Sequence, residues 1–139
     1  PPRSTLFPYT TLFRSDKFIG LLLSVGAEGA PPPEPTTPHP RTELVGLCDL
    51  VREPFDQLGN ELRMPNRFKN LDHMICQTSP DIIAVTTATE RHYDLSMRVL
   101  EYGVNIEVEK PICVNLLQAD KIVDKAKEKE VRVAVHHQG

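Results

Sequence analysis

Short apolar runs, each followed by a stretch of helical periodicity, recur along most of this chain. Lys17 to Leu23 is a first strand. Leu44-Val45-Gly46-Leu47-Cys48 is a second, closed by Asp49. Asn66 to Lys69 reads as a short third strand. Asp81 to Val85 and Val104 to Val108 are two more, rich in β-branched residues, and Val131 to Val135 is a sixth. Between them the apolar spacing changes from two to three and four. Glu53 to Arg63 carries Phe55, Leu58 and Leu62 on one face, with Pro54 suited to a first turn. Leu71 to Gln77 is a short helix. His92 to Tyr102 turns Leu95, Val99 and Leu100 inward and is closed by Gly103. Asn115 caps a long helix with Gln118 in the capping-box position. Leu116, Ala119, Val123 and Ala126 are its predicted apolar stripe, and Lys121, Asp124, Lys125, Glu128 and Lys129 its wet side.

Strands alternating with helices predict an α/β fold, a doubly wound parallel sheet with right-handed crossovers. The expected strand order is 3-2-1-4-5-6, the dinucleotide-binding arrangement. In such a sheet, ligands bind beyond the carboxyl ends of the strands. The first strand runs into Ser24-Val25-Gly26-Ala27-Glu28-Gly29, where this fold places its Gly-rich turn. Ser24 replaces the first glycine of that turn, while Gly26 and Gly29 hold the positions for backbone approach to a pyrophosphate and for helix–strand packing.

Two stretches do not fit the alternation. Residues 31–40 contain Pro31, Pro32, Pro33, Pro35, Pro38 and Pro40 where a helix is required, and proline inside a helix costs about 3 kcal/mol. The segment is either a read error preserved in frame or a polyproline-type linker. Nine of the thirteen prolines fall in residues 1–40, which favours the error. Residues 1–15 read as a sequencing-library adapter translated in one frame, against the alternative of a natural disordered N-terminus, and are excluded from fold reasoning. The expected organisation is thus an artefactual segment 1–15 and a Rossmann-type domain over 16–139, irregular at 31–40, with both ends cut by sequencing.

The composition narrows the functional class. A net charge of −3 with both signs mixed predicts neither a nucleic-acid nor a membrane partner. No apolar run reaches the roughly 18 residues of a membrane span. Cys48, Cys76 and Cys113 are odd in number and lack Cys-x-x-Cys spacing, so free thiols in a reducing cytoplasm are expected. No metal site is expected, because these cysteines with His136 and His137 match no common zinc spacing.

Two strand ends carry the candidate chemistry. Asp81-Ile82-Ile83-Ala84-Val85 runs into Thr86-Thr87-Ala88-Thr89-Glu90-Arg91-His92, and Val104-Asn105-Ile106-Glu107-Val108 into Glu109-Lys110-Pro111. Asp49, at the end of the second strand, can accept both ribose hydroxyls of an adenosine and repel a 2′-phosphate, favouring NAD over NADP. It also reads as a solvated turn residue, and Arg52 keeps NADP open.

Asp49, the Thr87-x4-His92 spacing and Glu109-Lys110-Pro111 together make residues 43–138 resemble the nucleotide-binding half of the Gfo/Idh/MocA oxidoreductases, the glucose–fructose oxidoreductase and inositol dehydrogenase group. The resemblance implies that Lys110 is catalytic, sitting beside the nicotinamide and the substrate hydroxyl, and that Glu109 bonds the nicotinamide ribose. Read on their own, Lys110 and Glu109 could be an ordinary strand-end pair. The further cofactor-binding residues expected are Val25, Gly26, Ala27, Glu28 and Gly29 in the turn, Thr86 and Thr87, His92, and Gln138 at the end of the sixth strand. His92 has the alternative of packing its ring on the loop, and the family usually has proline where this chain has Ala88. The implied whole is an NAD-dependent oxidoreductase moving hydride between nicotinamide and a sugar, cyclitol or related hydroxy compound. A second α/β domain for substrate and oligomer contacts, absent here, would complete a homo-oligomeric enzyme. A non-catalytic dinucleotide-sensing regulator on the same fold is the alternative.

Overall fold

A computed structural model describes residues 18–23, 42–49, 60 and 66–137; for 18–23, 42 and 44 the description stops at the backbone. Six strands form one sheet: β1 (Phe18–Leu23), β2 (Thr42–Cys48), β3 (Arg67–Phe68), β4 (Ile82–Val85), β5 (Asn105–Glu109) and β6 (Val133–His136). Their spatial order is β3-β2-β1-β4-β5-β6, and every neighbouring pair is parallel. This is the predicted doubly wound order. The direction of strand addition reverses between β1 and β4, which makes that crevice the topological switch point.

Three helices are described in full: α1 (Leu71–Thr78), α2 (Thr89–Glu101) and α3 (Leu116–Lys129). Of the helix predicted over 53–63, only Asn60 is described; it is helical, and its Oδ1 accepts a 2.8 Å hydrogen bond from Arg67. The turn at 24–29, the proline-rich 31–40, the adapter-like 1–15 and Gln138 lie outside the described residues.

Each helix end has a local cause. The Asn70 side chain accepts the His73 amide at 2.9 Å and starts α1. Asn115 does the same for Gln118 at 2.9 Å and starts α3. Gln118 completes a variant of the capping box, since its Oε1 accepts from Val114, one residue before the cap, at 3.4 Å. The start of α2 is different. Ala88 occupies its N-cap with no side-chain hydrogen bond, and the helix begins at Thr89, three residues before the predicted His92. At the other end, Gly103 takes a positive φ of 71° and its amide bonds the Leu100 carbonyl at 2.8 Å.

The core lies between the sheet and these helices. Ile83 and Val85 of β4 and Ile106 and Val108 of β5 alternate inward against Leu95, Val99 and Leu100 of α2 and Ile122 and Ala126 of α3. Leu71, Met74 and Ile75 of α1 continue the same cluster to Cys48. Fully burying an aliphatic side chain of this size contributes about 1.5–3 kcal/mol. The predicted stripe of α3 needs correction. Its inward residues are Ala119, Ile122 and Ala126, whereas Val123 is exposed and Leu116 is 84% exposed. The helix is rotated by roughly one position from the predicted face, because the side of α3 toward α2 is the one Ile122 occupies.

Candidate dinucleotide edge

Because all six strands run the same way, their carboxyl ends share one edge. The registers align that edge residue by residue. Phe68 pairs with Cys48, Cys48 and Val85 both pair with Leu23, and Val85 pairs with Val108. Asp49, Thr86 and Glu109 therefore each stand one residue past a common row, and Thr87 and Lys110 two residues past it. Asp49 on β2 and Glu109 on β5 are three strand spacings apart, about 14 Å at about 4.8 Å per spacing. The edge thus has carboxylates at its two sides and threonine hydroxyls between them.

Backbone bonds fix these ends. The Asp49 amide donates to the Phe68 carbonyl at 3.1 Å, tying the end of β2 to β3. The Lys110 amide donates to the His136 carbonyl at 3.2 Å, tying the end of β5 to β6. The Lys110–Pro111 peptide bond is cis. Lys110 is exposed and Glu109 half-buried, while Asp49 is 2% exposed. Thr87 is buried, and its hydroxyl donates to the Ala88 carbonyl at 3.2 Å.

His92 stands one layer behind this edge. Its ring is 1% exposed. Nδ1 lies 2.7 Å from the Pro111 carbonyl oxygen and Nε2 2.9 Å from that of Thr87. Both ring nitrogens are therefore occupied by main chain. The structure brings Asp49, Thr86, Thr87, Glu109 and Lys110 together at the edge with His92 behind them; Val25, Gly26, Ala27, Glu28, Gly29 and Gln138 are not described.

One polar pair at this edge goes unnoticed in a reading of single strands. His136 Nδ1 lies 3.1 Å from Glu107 Oε1 across β5 and β6. The two-residue alternation of adjacent parallel strands is the signal that finds it, since Glu107 pairs with Ala134 and Glu109 with His136 on the same face.

Next to Asp49, burial and then the negative charge of that carboxylate push the Cys48 thiol up to about 11. Cys48 is thus an inert thiol at neutral pH. Among the described residues, no group of three or more His, Cys, Asp or Glu could hold a metal ion, and no helix is long and apolar enough to cross a membrane.

Two carboxylates flank the switch point at a distance of three strands, and a carboxylate can accept from a ribose diol. The model for an oxidoreductase family with an NAD-binding Rossmann fold matches residues 25–137. The chain belongs to the Gfo/Idh/MocA oxidoreductase family. Among curated Gfo/Idh/MocA-like relatives, it is 25% identical over 96 residues to UDP-N-acetylglucosamine 3-dehydrogenase of Acidithiobacillus ferrooxidans, covering 69% of this chain and 30% of that protein. It is 26% identical over 97 residues to D-glucoside 3-dehydrogenase of Escherichia coli K12, covering 68% and 28%. Among solved structures, the WlbA dehydrogenase from Bordetella pertussis, crystallised with NADH and UDP-GlcNAcA, superposes with a TM-score of 0.73 at 21% identity, covering 86% of this chain and 37% of that one. At that identity the match establishes the fold. The chain spans less than a third of the length of the two curated relatives named here.

Proposed function

We propose that this chain is the dinucleotide-binding half of an NAD-dependent sugar dehydrogenase, with residues 16–139 forming that unit. The observation that carries the proposal is the level placement of Asp49, Thr86 and Glu109, with Lys110 one step beyond, along a single parallel-sheet edge. When bound, NAD supplies the hydride acceptor. Asp49 accepts hydrogen bonds from the two adenosine ribose hydroxyls and disfavours a 2′-phosphate by charge repulsion. Thr86 and Thr87 line the middle of the edge, toward the diphosphate. Glu109 holds the second ribose. The Lys110 ammonium, exposed at the end of β5, bonds the substrate hydroxyl and lowers the cost of losing its proton as the carbon is oxidised.

The relatives support a sugar as the substrate class, since two of them are named for oxidising carbon 3 of a sugar. A hexose derivative or a cyclitol fits the same chemistry. Most of the substrate contacts and the oligomer interface belong to a second domain of the whole protein. Free Cys48, Cys76 and Cys113 favour a reducing cytoplasm.

Fluorescence titration of the full-length protein with NAD and NADP tests the cofactor assignment. NAD binds more tightly, and Asp49→Ser narrows the preference. Equal or tighter binding of NADP by the unaltered protein overturns the role of Asp49.

A further inference from the structure

Thr86, Thr87 and Lys110 of this edge sit on two loops that follow the last paired row of β4 and β5. One runs from Thr86 to Ala88, before α2, and the other from Lys110 to Asn115, before α3. One buried side chain touches both. His92, in the first turns of α2, reaches the Thr87 carbonyl with Nε2 at 2.9 Å and the Pro111 carbonyl with Nδ1 at 2.7 Å. A carbonyl oxygen accepts and cannot donate. Both contacts are hydrogen bonds only if both ring nitrogens carry hydrogen. A neutral imidazole has one N–H and one lone pair, and that lone pair would face a carbonyl at contact distance.

We propose that His92 is a positioning residue: its ring donates from both nitrogens and sets the spacing between the Thr86–Thr87 loop and the Glu109–Lys110–Pro111 loop. It touches neither cofactor nor substrate. Its effect passes through the two carbonyls to the residues that do. Loss of one ring proton turns one of the two attractions into a repulsion, and the loops separate at that point.

The titratable groups on the elements around the ring are Glu90, Arg91, Tyr93, Asp94, Arg98 and Glu101 of α2, and Glu107, Glu109, Lys110 and Cys113 of the β5–α3 segment. Glu90, Arg91, Asp94, Arg98, Glu101 and Lys110 are exposed, Tyr93, Glu107 and Glu109 half-buried and Cys113 buried. None of them can bond a ring nitrogen, because both nitrogens are taken by the carbonyls. The proton count on the ring is therefore read out by the loops rather than by a partner carboxylate.

The consequence for ligand binding rests on the dinucleotide reading above; the state of the ring does not. Nitrogen-15 NMR of the histidine rings in the full-length protein, from about pH 5 to about pH 8 where imidazoles titrate, reads that state directly. Two protonated nitrogens on His92 at the acid end, each with a slowly exchanging hydrogen, are expected. A neutral ring with one bare nitrogen across the whole range overturns the proposal. NAD titrations at the acid end supply the second readout: His92→Phe, which fills the volume without donors, binds NAD about tenfold more weakly than the unaltered protein, the scale of one lost hydrogen bond. Should His92→Phe fail to fold, His92→Gln, which retains donors on one amide group only, takes its place. Unchanged affinity in a folded variant overturns the positioning role. A protein that binds no NAD at any pH sinks the dinucleotide reading instead, and the ring signals still decide whether both carbonyls are held.

Discussion

The helices α2 and α3 differ by one residue in length, 13 against 14, yet they are set into the molecule to different depths. Five residues of α2 are buried, His92, Leu95, Ser96, Val99 and Leu100, including a Ser96 hydroxyl without a hydrogen-bond partner. Only Ile122 and Ala126 of α3 are buried. α2 is held from both sides. Arg98 and Tyr102 bind Asp72 of α1, and Glu101 takes Lys125 and Lys129 of α3 at 3.1 and 3.3 Å. The two helices also begin differently. α3 has a side-chain cap and α2 has none. Tertiary burial substitutes for a cap in one helix, while local hydrogen bonding supports the other. This division is in keeping with helices drawing most of their stability from packing.

The strongest way to break this contrast is in the apolar faces. Leu100→Ala should destabilise the protein by about 3 kcal/mol, the cost of a cavity at a site with no exposure. Leu116→Ala should stay within about 0.5 kcal/mol, because its side chain already faces water. Urea unfolding of both variants measures the difference, and equal losses would mean that α3 is covered as deeply as α2.

The caps come next. Asn115→Ala should cost about 1 kcal/mol through the lost bond to the Gln118 amide. Ala88→Ser should have the opposite sign, a gain of about 0.5–1 kcal/mol, by supplying the cap that α2 lacks. Thermal melts read both, and a loss on Ala88→Ser would show that the loop has no room for a hydroxyl.

The smallest effect is an acid dependence on the α1–α2 tie. The Tyr102 hydroxyl, followed by the Arg98 guanidinium, holds the Asp72 carboxyl below the usual carboxylate range. A lowered folded value contributes stability above the unfolded pKa of about 3.9 and loses it as pH falls through the folded value. The pair is largely exposed, so the contribution should be below about 1 kcal/mol. Melting temperatures from about pH 6 down to about pH 2 should show this step. Asp72→Asn should remove it; a step that persists in that variant belongs to other carboxylates.

Much of the architecture is legible in the chain because the strands announce themselves. Apolar runs ended by polar residues placed β4 and β5 within a residue of where they lie; alternation implied the parallel sheet, and the dinucleotide-binding arrangement supplied the strand order that the structure has. The start of α2 was not legible for a definite reason. Ala88 offers no capping oxygen, and Thr89, Glu90 and Arg91 are polar, so the pattern shows nothing until the buried residues begin. On α3 the apolar positions 116, 119, 123 and 126 make a valid stripe, and so do 119, 122 and 126. Only the position of α2 selects between them, and no local propensity encodes that. At the site, strand ends identified Asp49, Thr86, Thr87, Glu109 and Lys110 as neighbours. For His92 the sequence offers packing of the ring on the loop as one of two alternatives, and the ring does lie against loop carbonyls; which carbonyls it takes is not legible, since every residue has one.

The strict alternation along β5 has a genetic consequence. Ile106 and Val108 face the core, while Glu107 and Glu109 lie on the other side of the pleat. Inserting or deleting a single codon within this strand would exchange the two sets, driving carboxylates inward and apolar side chains outward at once. A change of two codons would preserve the parity, although it would still shift the pairing with β4 and β6. The gene should therefore tolerate paired length changes here far better than single ones, and lineages of this segment should differ in length by even steps.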